Sequence, residues 1–150
     1  MSQQQSNKET LHFKIGLSGT YWNKQPAYSI RLNGFEYLAG HVSDNIQYVE
    51  FSESVEEGTE CVLEIRLNNK TDSDVIQNED KTEIVKDMLL NIESIEIDEI
   101  DLDQLIWSAS EFIGDDPTRP VLRGCINLGW NGAYTLKFTS PFYLWLLESM

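Results

Sequence analysis

The sequence predicts an all-β protein, an antiparallel β-sandwich of jelly-roll-like type with at most one short helix. Three observations carry that expectation. Apolar and polar residues alternate with period two in several separate segments, the mark of half-buried strands. Two Asn-Gly pairs, Asn33-Gly34 and Asn131-Gly132, stand where hairpins would reverse the chain. Convincing helical spacing of apolar residues is scarce.

Residues 1–10 are polar and Gln-rich and read as a disordered or extended N-terminal arm, which leaves 11–150 as a single domain with no internal repeat or linker. The arm carries no apolar core of the kind a signal peptide needs. Leu11, Phe13, Ile15 and Leu17 alternate with His12, Lys14 and Gly16 in a first strand, which Ser18-Gly19-Thr20 interrupts. Tyr28, Ile30 and Leu32 form a second, and Asn33-Gly34 turns it into a return strand over Phe35 to Ala39. Ile46 to Phe51 is a further strand, followed by an acidic, Gly-containing loop from Ser54 to Thr59. Cys61, Leu63, Ile65 and Leu67 share one strand face.

Asn68 to Lys81 is almost devoid of apolar residues and reads as a long surface loop, a kind of segment that is often functional. Ile84, Val85, Met88 and Leu89 suggest a short pair of helical turns. Ile95 and Ile97 alternate with Glu96 and Asp98, and the phase changes near Glu99 before Ile100 and Leu102, so a tight turn joins two short strands. Two prolines make 114–120 a loop. Val121 to Trp130, the Asn131-Gly132 turn and the Tyr134, Leu136, Phe138 alternation form a second hairpin. Phe142 to Leu147, apolar on both faces, fits a covered strand or a short helix.

With 150 residues and 41% apolar composition, the chain can bury a core without staples and is no disordered acidic tail. The net charge of −14 argues against nucleic-acid backbones and anionic membranes, both of which call for clustered Lys and Arg. That charge is local. Residues 53–116 hold 20 acidic and 4 basic residues, and the remainder is nearly neutral. Cys61 and Cys125 read as free core thiols, since two cysteines are no disulfide framework in a chain of this length. His12 and His41 lack metal or triad spacing.

No phosphate-binding glycine loop, nucleophile elbow, zinc spacing or dinucleotide fingerprint is present, which points away from an enzyme. Two constellations stand out. Asp98, Glu99, Asp101 and Asp103 crowd one turn, and closely spaced carboxylates can supply oxygens to calcium, although the helix-loop-helix calcium pattern is absent. The metal candidates are Asp98, Asp101 and Asp103. Tyr21-Trp22, next to Asn23-Lys24-Gln25-Pro26, and Trp130-Asn131 are aromatic loop sites on which a sugar ring or a protein partner can rest. The ligand-binding candidates are therefore Tyr21, Trp22, Trp130 and Asn131. Trp107 and Trp145 lie among Leu and Ile and read as core.

The run Phe13-Lys14-Ile15-Gly16-Leu17-Ser18-Gly19-Thr20, then Pro26 and Ile30-Arg31-Leu32-Asn33-Gly34, then Leu63-Glu64-Ile65 and Asn69-Lys70, resembles the calcium-dependent xylan-binding carbohydrate-binding modules. Ile95-Glu96-Ile97-Asp98 falls where such modules carry a similar strand, and the likeness covers about residues 11–110. It implies a small β-sandwich that binds sugars through a calcium ion. The segment Asn127-Leu128-Gly129-Trp130-Asn131-Gly132, with Ser140-Pro141-Phe142-Tyr143-Leu144-Trp145-Leu146-Leu147-Glu148, resembles structural proteins of marine tailed phages. This second likeness implies a virion part, assembled in the host cytoplasm.

The leading expectation is thus a non-enzymatic virion assembly protein of a tailed phage, a homo-oligomer or a partner of other virion proteins, whose apolar C-terminal run centres an interface. Its alternative is a glycan-binding module with Tyr21 and Trp22 on the sugar and the Asp98–Asp103 turn on calcium. A third reading is a mimic whose acidic face occupies a basic site, with binding that collapses in salt.

Overall fold

A computed structural model of the protein describes residues 7–103, 105 and 109–149. Its strands are β1 (Lys8–Thr20), β2 (Ala27–Leu32), β3 (Phe35–His41), β4 (Gln47–Glu56), β5 (Glu60–Leu67), β6 (Ile76–Gln77), β7 (Ile84–Lys86), β8 (Leu89–Ile97), β9 (Ile100–Asp101), β10 (Ser110–Gly114), β11 (Leu122–Arg123), β12 (Asn127–Leu128) and β13 (Gly132–Thr139), followed by helix α1 (Phe142–Ser149). Two antiparallel sheets face each other. One runs β12-β8-β1-β4 with β9 on β8, the other β11-β10-β13-β5-β2-β3, and β6 and β7 form a separate ribbon. The antiparallel β-sandwich is the fold class that the alternation pattern predicts.

Alternation decides which side of each strand is buried. From the first sheet, Leu11, Phe13, Ile15 and Leu17 of β1 and Leu90, Ile92, Ile95 and Ile97 of β8 enter one core with Cys61, Leu63, Ile65 and Leu67 of β5 and Tyr134, Leu136 and Phe138 of β13. The spacing in β8 slips from 92 to 95 because a bulge shifts the β1–β8 register between Gly16 and Leu17. Asn33 and Gly34 take φ of 52° and 83°, the left-handed backbone of a two-residue hairpin turn. The Asn33 side chain also accepts the Val62 N–H at 2.8 Å, so this turn is pinned to the neighbouring strand.

Several boundaries move for reasons of pairing. β1 begins at Lys8, inside the segment expected as an arm, because Lys8, Glu9 and Thr10 pair with Glu56, Val55 and Ser54. It also runs on through Ser18-Gly19-Thr20, which pair with Asn91, Leu90 and Leu89. The same pairing extends β4 to Glu56, so the loop expected over Ser54 to Thr59 shrinks to a turn around Gly58.

Ile84 and Val85 lie in the β6–β7 ribbon instead of a helical turn, for Ile84 pairs with Gln77 and Lys86 with Ile76. Asn131-Gly132 is no hairpin turn: β13 lies between β10 and β5, while β12 pairs with β8 in the opposite sheet. The phase change near Glu99 is the tight β8–β9 turn, with Asp98 and Glu99 at positive φ.

The C-terminal run is helical. Phe142 and Leu146 are buried, and Trp145 rests against Phe138 and Phe142 at ring distances of 5.9 and 6.0 Å. Glu9 holds the start of α1, since its carboxylate accepts the Ser140 hydroxyl and, at 2.8 Å, the Phe142 N–H. Cys61 and Cys125 are free thiols, as expected. Trp107 lies outside the described residues.

Candidate functional site

The β1–β2, β5–β6, β10–β11 and β12–β13 connections gather at one end of the sandwich, the end at which β1 and β5 finish and β13 begins. Side chains from the loops, not the strands, join them. Asn69 accepts the Ala27 N–H at 2.8 Å and donates to the Gln25 carbonyl at 3.0 Å, which ties β5 to the β1–β2 connection. Asn131 takes the backbone of Lys70 from both sides, accepting its N–H at 2.8 Å and donating to its carbonyl at 2.9 Å. The Lys70 ammonium then reaches the Asp87 carboxylate at 2.5 Å and donates to the Gly129 carbonyl. Its side chain is only 11% exposed, so this ion pair is sheltered from screening.

A second knot lies next to the first. Thr71 to Asp74 form a 3-10 turn in which Asp74 is fully buried. Burial would raise its carboxyl, but bonds from the Thr71 N–H, Asn23, Lys24 and the Thr71 hydroxyl outweigh that and hold it at about 2. The Lys24 ammonium stands 3.0 Å from it, and the Trp22 indole N–H donates to the Asp74 carbonyl at 2.9 Å.

Between these loops lies a groove of about 840 Å³. Its lining comes from Lys70, Thr71, Asp72, Val75 and Gln77, from Ile84 and Asp87, from Asp115, Asp116 and Arg119, and from Gly129, Trp130 and Asn131. The Trp130 ring packs on Phe112 at 5.5 Å on its core side, and the Arg119 guanidinium lies 4.5 Å over its ring. Cation–π attraction holds a guanidinium over an indole, and its N–H groups are donors that a ligand oxygen can use. Asp115 is oriented by Arg66 at 2.7 Å, and Asp116 accepts the Thr118 N–H at 2.9 Å and its hydroxyl at 2.7 Å. Those bonds, with the nearby Arg119 charge adding to them, lower the Asp116 carboxyl. The groove thus offers an aromatic-backed guanidinium donor beside fixed carboxylate acceptors.

The expected site residues divide. Trp130 and Asn131 line the groove. Tyr21 and Trp22 belong to the same end of the molecule but not to the groove lining. Trp22, 41% exposed, braces the 71–74 turn and carries the Lys86 ammonium 5.1 Å over its ring. Asp98, Asp101 and Asp103 lie at the opposite end of β1, since Phe13 pairs with Ile97 and Thr20 with Leu89. About seven residues of strand separate the two ends, roughly 23 Å. An ion on that turn and a sugar on the Trp22 loop would therefore lie at opposite ends of β1.

Calcium requires six to eight oxygens around one point. Among the described residues no three His, Cys, Asp or Glu side chains are placed to hold an ion. Asp98 accepts the His12 N–H at 2.8 Å and Asp101 accepts the Asp103 N–H at 2.9 Å, so both bond the backbone of their own corner. As placed, the carboxylates of that turn do not converge on one point.

Arg119, Lys70, Asp87, Asp115 and Asp116 are functional candidates that residue-by-residue reading missed. The signal was there at the level of segments, in the long apolar-poor loop after β5 and the Pro-bounded loop after β10. A second groove of about 550 Å³ lies at the open edge between β3 and β4, where Tyr37 stacks on Phe51 at 4.6 Å and bonds Glu53.

No protein-family model and no curated protein matches the chain. Among solved structures, the chain is similar to vCBM60 in complex with galactobiose, with a TM-score of 0.55 and 10% identity over 83% of this chain and 96% of that one. It is also similar to a selenomethionine form of vCBM60, from work on circular permutation between two families of calcium-dependent carbohydrate binding modules. Here the TM-score is 0.54 and the identity 12%, over 84% of this chain and 89% of that one. The likeness is one of fold.

Proposed function

We propose that the protein is a non-catalytic glycan-binding module that holds a neutral sugar in the groove of Arg119, Trp130 and the neighbouring aspartates. The single observation that carries this reading is the Arg119–Trp130 stack set among oriented carboxylates. Vicinal sugar hydroxyls are both donors and acceptors, so they match a guanidinium and carboxylate oxygens set near one another. Asp72, Asp87, Asp115 and Asp116 outnumber Lys70 and Arg119 along the lining, which disfavours uronic and other anionic sugars. The fold shared with carbohydrate binding modules supports glycan binding better than the virion assembly role, and no comparison supports a place in a phage particle.

Calorimetric titration against a panel of neutral and anionic oligosaccharides tests the proposal. A neutral glycan is expected to bind, and Arg119→Ala or Trp130→Ala to weaken it at least about tenfold, or 1.4 kcal/mol. Equal binding by the two variants and the parent would remove the groove from the account.

A second reading has its own observation. Tyr143, Leu144 and Leu147 of α1 are 62%, 54% and 52% exposed and form an apolar strip suited to a protein contact. Sedimentation of the full chain tests it, and a monomer at every concentration would count against self-assembly.

A further inference from the structure

We infer that the groove recognises its ligand without a divalent cation, because the Lys70 ammonium already occupies the oxygen cluster in which an ion would have to sit. That the ligand is a glycan rests on the function proposed above, whereas the cation assignment does not.

The inference starts from how the groove's oxygens are used. The Asp87 carboxylate faces the Lys70 ammonium at 2.5 Å and also accepts the Met88 N–H at 2.8 Å. The Gly129 carbonyl accepts another Lys70 N–H. A carboxylate and a backbone carbonyl are the ligand types that calcium selects, and here a covalently tethered cation holds both. The amide of Asn131, a third oxygen of that kind, is turned onto the Lys70 N–H.

Of the other lining acids, Asp115 is engaged with Arg66 and Asp116 with Thr118, which leaves Asp72 as a single carboxylate on the 71–74 turn. An ion entering beside Lys70 would meet a fixed positive charge within a few ångströms, in a pocket where screening is weak. Lys70 thus knits the 68–88 and 129–131 segments together, the task a structural ion would otherwise perform. The vCBM60 neighbour comes from work on calcium-dependent modules, and its likeness to this chain is one of fold.

The test uses the whole chain and needs no glycan at first. Thermal melts of the wild-type protein in calcium and in EDTA are expected to coincide, and terbium is expected to give no emission sensitised through Trp130. A terbium signal that calcium displaces and that Trp130→Phe abolishes would overturn the inference. A signal that survives Trp130→Phe belongs to another part of the molecule and leaves the groove metal-free. Once a glycan is in hand, its affinity is expected to stay within about twofold in EDTA; loss of binding in EDTA, restored by calcium, overturns the inference. If no glycan binds in either buffer, the glycan reading fails while the melts and terbium still decide the cation.

Discussion

Gly114 lies against the edge of the Trp130 indole, so closely that a β-carbon at Gly114 would stand 2.5 Å from Nε1 and 2.8 Å from Cδ1 of the ring. The groove's aromatic platform is therefore set by the last residue of a neighbouring strand. Gly114 pairs with Gly132, where a β-carbon would meet the Ile113 carbonyl oxygen at 2.4 Å. Two glycines face each other at the point where β10 and β13 reach the groove, and that bare backbone lets the indole settle between Phe112 and Arg119.

Gly114→Ala is expected to push the indole off Phe112 and to cost about 1–3 kcal/mol by overpacking. Denaturant melts give the energy, and a change in tryptophan emission reports the displaced ring. A variant with parental stability and emission would mean that the ring shifts freely and that the glycine has no positioning role.

Asp74 makes stability depend on acid. Its folded carboxyl is held at about 2, below the ordinary value near 3.8, so its contribution is complete above the unfolded value and declines as pH falls toward about 2. Asp74→Ala is expected to cost about 3 kcal/mol at neutral pH, since it strands the Thr71 N–H and the Lys24 charge. Melts from pH 6 to pH 2 should converge for variant and parent at the acid end. A constant gap across that range would show that the carboxylate charge contributes nothing.

Glu9→Ala removes the acceptor at the start of α1 and is expected to cost about 1 kcal/mol, the usual worth of a helix cap. Hydrogen exchange should quicken over residues 142–149 and stay unchanged in β8. Uniform acceleration would place the effect in the β1–β4 pairing instead.

Tyr37 carries a phenol pushed up to about 12 by desolvation and by its bond to Glu53. Its ultraviolet titration is expected to lag behind that of an ordinary solvated phenol. In Glu53→Gln the lag should shrink, because the neighbouring negative charge is gone. An unchanged lag would leave desolvation as the whole cause.

Strands were legible wherever one face meets the core and the other meets water, as in Cys61 to Leu67 or Tyr28 to Leu32, because burial on one side writes period two directly into the chain. Asn33-Gly34 was legible for a similar reason, since two adjacent left-handed residues have few sequence solutions. Ile84-Val85 misled because a short exposed ribbon buries no face and so leaves no period to read. Asn131-Gly132 misled because the same dipeptide that reverses a hairpin here spends its amide on Lys70.

The site divides along the same line. Trp130 and Asn131 were visible as an aromatic and an amide in a loop, but nothing local reveals that Arg119 covers the ring or that Lys70 holds Asp87. The sequence by itself determined the strands that bury one face, the first hairpin and a surplus of acidic residues, since these follow from each residue's own preference for core, turn or water. Only the tertiary structure decided which loops share an end of the sandwich. Strand direction and sheet order bring residues 70, 87, 119 and 130 together and send 98–103 to the far end, and those are properties of pairing across the whole chain, not of any stretch within it.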